Sequence, residues 1–296
     1  MNESERQIHQ EIINMALSIF TNASSMASVN ALNKSNSMLS TAMERLGTGK
    51  RINSAADDAA GLQIATRLQG QTNGMDVAQR NISDATALLQ TAEGAFDEVS
   101  NIMYRMKDLA TQASNDTNGA EDRKALQSEM DELNKELTNI MDNTKYAGES
   151  LFGSTGKLSK AMNFQIGASK DEKLEVDFSA ELTGVTGASG MAGLQTADAL
   201  TTSSGAQDMI GKVEDALTQV GTLRSKLGAN INRLGHTSSN LANMKDNTDL
   251  ALSNIRDADF ASEASNMTRN QMLVQTSMSM LKQSNSMSSM VMNLLG

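Results

Sequence analysis

The chain has 296 residues with no Pro, no Cys and no Trp, six Phe and two Tyr, and a formal charge of −10. That charge, with Lys and Arg nowhere clustered, excludes a nucleic-acid or anionic-membrane binder, and the lack of Cys excludes disulfides, thiolate metal sites and a Cys nucleophile. A core of the size this length allows must therefore be aliphatic, built from Leu, Ile, Val, Ala and 21 Met, and the absence of proline permits long uninterrupted helices.

The first residues, MNESERQIHQEIIN, lack a basic region and a long apolar run, so they do not form a cleavable secretory signal, and no later segment is apolar enough to span a bilayer. Residues 29–46 carry Val29, Leu32, Leu39, Met43 and Leu46 on one helical face, interrupted by Asn36. Such a helix is amphipathic but thinly apolar, marginal in water by itself, and reads as one that needs partner chains. Next comes "ERLGTGKRINSAADDAAGLQIATRLQG", 44–70. Its Gly-x-Gly-Lys turn is not a phosphate loop, because Glu44 stands where the first glycine is required and Arg51 where a Ser or Thr must hold magnesium. Asp57 and Asp58 point about 100° apart on a helix and cannot chelate one ion together. They read as an acidic helix start that complements the helix dipole.

From 78 to 110 the chain carries a heptad seam: Ala78, Ile82, Ala85, Leu89, Ala92, Phe96, Val99, Met103, Met106 and Ala110, every position apolar. A second stripe, Leu88, Ala95, Ile102 and Leu109, widens the face, which predicts a bundle helix with more than one neighbour. After the turn-rich SNDTNGAED, the spacing returns at Leu126, Met130, Leu133, Leu137 and Ile140, predicting an antiparallel helical hairpin. Phe164 and Ile166, then Leu174, Val176 and Phe178, alternate with polar residues around a glycine turn and predict a β-hairpin. From 184 to 207 the composition falls to Gly, Ala, Ser and Thr, and the expectation is a surface loop or partly flexible link.

Val213, Val220, Leu227, Leu234, Leu241 and Ile255 recur at multiples of a heptad, with Thr248 the polar exception and Leu217, Ile231 and Leu252 between them. This helix should complete the bundle. The last segment repeats the thin pattern of the first, with Val274, Met278, Leu281, Val291 and Leu295 separated by Ser284, Asn285 and Ser288. The two histidines, His9 in a polar stretch and His236 inside a helical pattern, have no partner at triad or zinc spacing. The composition and periodicity thus describe a mainly α protein, with no residues that point to an enzyme, a cofactor or a metal.

The stretch LGTGKRINSAADDAAGLQIATRL (46–68) resembles the N-terminal signature of bacterial flagellins, as do QRNISDATALLQTAEGAFDEVSNIMYRMKDLATQASN (79–115) and LQSEMDELNKELTNIMDNTKYAGESLF (126–152) with the core helices and the turn after them. NIRDADFASEASNMTRNQMLVQTSMSML (254–281) is similar to the flagellin C-terminal region, so that the resemblance covers nearly all of 15–180 and 205–296. It implies an elongated helical bundle or coiled coil with paired terminal helices and a small β-hairpin region, polymerising with itself into a filament without catalysing a reaction. The terminal helices would line the filament interior. The implied division is a terminal-helix domain of 15–55 plus 256–296, a bundle of 56–180 plus 208–255, and a short variable loop at 181–207.

Flagellins begin close to MALSIFTNASSM, which starts here at Met15, so 1–14 is expected to be an extension or to precede the true start. The His-Glu-x-x-His insertion of some relatives is missing. The resemblance further implies secretion through the flagellar export apparatus, and an export chaperone, a filament cap and hook-associated proteins as partners. Hook-filament junction proteins share the helical ends, though their signature motifs match less well; a soluble bundle adaptor binding partner helices is the other reading. In flagellins sensed by the host Toll-like flagellin receptor, the contact face bears an Arg and a Leu on one helix and a Glu on the next. The matching positions are Arg105, Leu109 and Glu129.

Overall fold

A computed structural model describes residues 22–153 and 155–295, with side chains described as far as 287. The extension at 1–14, the Met15 start and His9 lie outside the described residues, as do the side chains of Val291 and Leu295. Four long helices dominate: α1 (Ala23–Thr48), α2 (Ala59–Ala113), α6 (Ser203–Arg256) and α7 (Phe260–Leu295). Between α2 and α6 lie α3 (Ala120–Asn143), the strands β1 (Lys145–Tyr146), β2 (Glu149–Ser150), β3 (Met162–Gln165) and β4 (Lys173–Val176), and the short helices α4 (Ser179–Thr186) and α5 (Met191–Leu194). The described residues form two compact units, a terminal unit of 22–68 with 250–295 and a bundle unit within 69–249.

In the bundle unit the heptad seam of α2 is buried from Ala78 to Ala110 without exception, and Leu88, Ile102 and Leu109 of the second stripe are buried beside it. The helices run antiparallel, as their side-chain ties show. Arg105 of α2 meets Glu129 of α3, and Tyr146, just beyond α3, donates to the Asp84 carbonyl. On the other side, Lys107 meets Glu214, Arg224 meets Glu93 and Asp97, and Lys245 meets Asp76. The turn between α2 and α3 is closed by Arg123, whose Nε donates to the Ala113 carbonyl at 2.9 Å and so satisfies an orphan group at the end of α2. Val213, Val220, Leu227, Leu234 and Leu241 of α6 complete the same core.

The β-hairpin forms where the alternation places it, with Phe164 paired to Leu174 in the antiparallel β3–β4 register and Leu174 and Val176 turned into the core. A second, two-residue hairpin, β1–β2, was not visible in the periodicity. Ala147 and Gly148 both take positive φ at its tip, the turn geometry that matches the twist of paired strands. It delivers Leu151 and Phe152 to the core, where the Phe152 ring lies 4.7 Å from that of Phe96.

The expectation of a loop at 184–207, and of a short variable loop at 181–207, is not met. This segment folds into the end of α4, α5 and a packed connection that buries Leu182, Val185, Met191, Leu194 and Leu200. Asn134 of α3 donates to the Leu194 carbonyl, and Gln127 accepts from the Leu200 amide at 2.7 Å, so backbone groups that would otherwise be buried without partners are satisfied by the bundle.

Candidate assembly surface

In the terminal unit, α1 begins with Asn22 accepting from the amides of Ser24 and Ser25, and it ends at Gly49, whose φ of 71° is the left-handed stop that glycine adopts without a Cβ clash. The Gly-Lys turn is thus a helix terminator followed by a pairing segment. Lys50 bridges to Asp257, the amides of Arg51 and Ile52 donate to the Arg256 carbonyl, the Ala258 amide donates to the Gly49 carbonyl, and the Arg51 guanidinium reaches the Ile255 carbonyl at 2.8 Å. The two interhelical turns hold each other.

Asp57 and Asp58 act separately. The Asp57 carboxylate accepts from the Asn53 and Ser54 amides, which hold its pKa below the usual carboxylate range, and Asp58 caps α2 by accepting from the Gly61 amide at 2.8 Å. Gly61 itself leaves room for Ile52, since a Cβ there would lie 2.7 Å from Ile52 Cδ1. Ile52 is buried on that account.

The helices α1 and α7 run antiparallel, tied by Asn22 to Ser284 at one end and by Arg45 to Glu263 at the other. Their Cα atoms come within 8 Å of each other along the pair, a closeness the other long helices, spaced by larger side chains, do not sustain. What they bury explains this. The fully buried residues of the contact face are Ser35 and Ala42 on α1 with Glu263, Asn270, Ser277 and Ser284 on α7.

The apolar positions of the two terminal helices divide between the seam and the surface. Leu32, Leu39 and Leu46 of α1 and Val274 and Leu281 of α7 are half-buried and alternate at heptad spacing with the buried small and polar residues, whereas Val29, Met43 and Met278 are exposed. Small side chains in this seam permit close backbone packing, and the large apolar residues that lie off the seam are left exposed. Of the fifteen large apolar side chains that are exposed among the described residues, twelve belong to the terminal unit. They include Met26, Met38, Leu250, Phe260, Met272, Leu273, Met280 and Met287. Scattered exposed apolar residues are ordinary, whereas such a concentration in one unit marks a surface that is completed by something else.

Glu263 is the one buried charge of this pair. The hydrogen bond from Arg45 comes first among the causes that hold its pKa below the usual carboxylate range, with Asn266 assisting against the opposing cost of burial. Because the folded pKa lies below the unfolded one, the pair's stabilisation is fully present above the ordinary carboxylate pKa of about 4.3 and is lost as pH falls through the folded value. Asp57 and Asp259, with lowered pKa values, act in the same direction. Acidification below about pH 4 is therefore expected to open α1 and α7 to proteolysis. Digestion followed by mass spectrometry checks this, and Glu263→Gln should flatten the dependence.

The three receptor positions are divided by the structure. Arg105 and Glu129 are exposed and paired, Arg105 Nη2 lying 2.6 Å from Glu129 Oε1. Leu109 is fully buried in the core and cannot serve as a surface contact, which corrects the patch expected from helical spacing. Its place in the second apolar stripe prevails over its neighbourhood with Arg105.

Among the described residues no three His, Cys, Asp or Glu side chains are grouped to hold a metal, and no helix is long and apolar enough to cross a membrane. His236 lies exposed on α6. The arrangement is that of a structural helical-bundle subunit whose terminal layer, paired within the chain, presents apolar side chains outward.

Comparison with known proteins gives this class its family. The model of the bacterial flagellin N-terminal helical region matches residues 19–157, and that of the C-terminal helical region matches 210–295. A flagellin of Halalkalibacterium halodurans is 40% identical over 86% of this chain and 90% of its own length. Flagellin A of Vibrio anguillarum is 33% identical over 95% of this chain and all of its own, through an alignment of 382 positions against a chain of 296 residues, so this relative carries inserted residues. A putative flagellar hook-associated protein from Vibrio parahaemolyticus shares the fold at 15% identity, with a TM-score of 0.57 over 68% of this chain and all of that one. The chain belongs to the bacterial flagellins, the structural subunits that polymerise into the extracellular flagellar filament. The interval left between the two matched regions, 158–209, holds β3, β4, α4 and α5.

Proposed function

We propose that the outward faces of α1 and α7 are the surfaces by which the subunit packs on neighbouring copies in the filament. The observation that carries this reading is the exposure of Met43, Met272, Met278 and Met280, which lie off the narrow seam of small residues and half-buried leucines that joins the pair. Each of these half-exposed Met side chains contributes on the order of 1 kcal/mol when a neighbour buries the rest of it, so several together hold a subunit in place. Contacts between different patches of identical chains generate a helical polymer when the rotation relating the copies does not close into a ring. Met278→Glu should therefore block seeded filament growth, scored by electron microscopy, without changing the helix content or the melting of the bundle unit. Normal tubes from this variant would remove the face from assembly.

Export through the flagellar apparatus, an export chaperone, a cap and hook-associated proteins belong to this reading by family resemblance. For recognition by a host Toll-like flagellin receptor, the exposed Arg105–Glu129 pair is the part of the implied site that a partner can reach. A planar guanidinium with several donors is a suitable anchor. As an exposed ion pair it contributes only about 0–1 kcal/mol to stability, so Arg105→Ala separates recognition from folding. Receptor-reporter cells treated with monomer should respond to the wild type and lose sensitivity to the variant at unchanged melting temperature. Equal potency would exclude Arg105 from the site.

A further inference from the structure

The 21 Met of this chain are its only sulfur-containing side chains, and the structure sorts those it describes sharply. In the bundle unit Met103, Met106 and Met130 are fully buried. In the terminal unit Met38 is 42% exposed, and the six most exposed, Met26, Met43, Met272, Met278, Met280 and Met287, are between 46 and 60% exposed. An exposed thioether reacts with peroxides, while one sealed in a packed core is shielded, so the two sets differ in chemistry as well as in position.

We infer that the exposed methionines of α1 and α7 are sites of reversible oxidation to the sulfoxide, and that this modification controls whether the subunit can polymerise. It rests on the reading that these faces are the assembly surface. In the step, the thioether sulfur attacks one oxygen of hydrogen peroxide, an S–O bond forms, the O–O bond breaks, and the departing hydroxide takes up the transferred proton to leave as water. The sulfur loses two electrons and the peroxide gains them. The product is polar and chiral where the contact needs a flexible apolar group, so an oxidised face no longer exchanges water for a neighbour's apolar surface. A thiol-dependent methionine sulfoxide reductase reverses the step, the thiols supplying the two electrons and the oxygen leaving as water. In the polymer these sulfurs are covered, so the sensitivity belongs to the free subunit.

The test treats full-length monomer and preformed filament with dilute hydrogen peroxide, maps sulfoxides by peptide mass spectrometry, and measures seeded elongation. In the monomer the six terminal-unit sites should oxidise well before Met103, Met106 and Met130, and elongation should fall by more than about tenfold, which a loss of about 1.4 kcal/mol per added subunit already produces. Sulfoxide reductases with a thiol reductant should restore elongation of the same wild-type sample, a readout that requires no variant to fold. Preformed filament should resist modification at the six sites. Replacing these six and Met38 by Leu should give peroxide-resistant assembly, while Met244→Leu, at an exposed bundle-unit site, should leave the sensitivity unchanged. Undiminished elongation of monomer oxidised at the six sites overturns the inference. If Met278→Glu blocks growth in that case, only the redox inference falls; if Met278→Glu also assembles, the assembly face itself is wrong.

Discussion

Phe96→Ala should lower the stability of the bundle unit by about 3–5 kcal/mol, the cost of deleting a large side chain from a core that cannot close over the gap. Phe96 is fully buried in the seam of α2, a row otherwise made of Ala, Leu, Ile, Val and Met, and its ring meets Phe152 at 4.7 Å with the planes inclined at 56°. The tilted ring pair lies within the range in which aromatic pairs gain about 0.5–1.5 kcal/mol beyond their buried area. The loss thus reaches past α2 to the β1–β2 hairpin that carries Phe152 inward. For a unit of this size each kcal/mol shifts the midpoint by about 2–4 °C, so a fall of roughly 10–15 °C is expected by calorimetry. Tyr104→Ala, at a site that is 57% exposed on the same helix, is the control and should shift the midpoint little. Equal small shifts for both would mean that the seam is not the core.

Deleting 282–296 should leave a soluble, folded bundle that cannot form filaments. The removed residues are the last turns of α7, and with them go the ties from Asn22 to Ser284 and from Ser25 to Asn285 that hold the start of α1. The core of the bundle unit lies between Met75 and Leu241 and contains none of them. Its melting should be unchanged, whereas α1 loses its antiparallel partner at one end and is marginal in water as an isolated helix. Seeded growth should fall by more than about a hundredfold, which needs a loss of only about 2.8 kcal/mol per added subunit. Light scattering and electron microscopy measure it; tubes of normal width from the truncated chain would refute the role of the terminal helices.

The residues that were legible in advance share a feature: each belongs to a period that repeats often enough to leave one interpretation. The seam from Ala78 to Ala110 offers a single face that is apolar throughout, and hydrophobic burial requires that face to turn inward. The same holds for Val213 to Leu241, and for the alternation that sets Leu174 and Val176 inside β4. Signals spread over few residues were harder. The β1–β2 pair spans two residues on each side, and the fold of 184–207 depends on Met191, Leu194 and Leu200 finding the bundle, which an average over small residues conceals.

Leu109 shows where a local rule stops. Helical spacing puts it beside Arg105 as readily as it puts it in the second stripe, and only the helices packed around α2 decide that it is enclosed. The terminal pair makes the point most fully. The sequence by itself determined that both ends are helical, thinly apolar and of the flagellin pattern. Only the tertiary structure decided which apolar residues turn inward, because Leu32, Leu39 and Leu46 share a seam with small residues that bring the two backbones close. Ser35, Ala42, Ser277 and Ser284 allow that approach, and Met43, Met272 and Met278 are left outside.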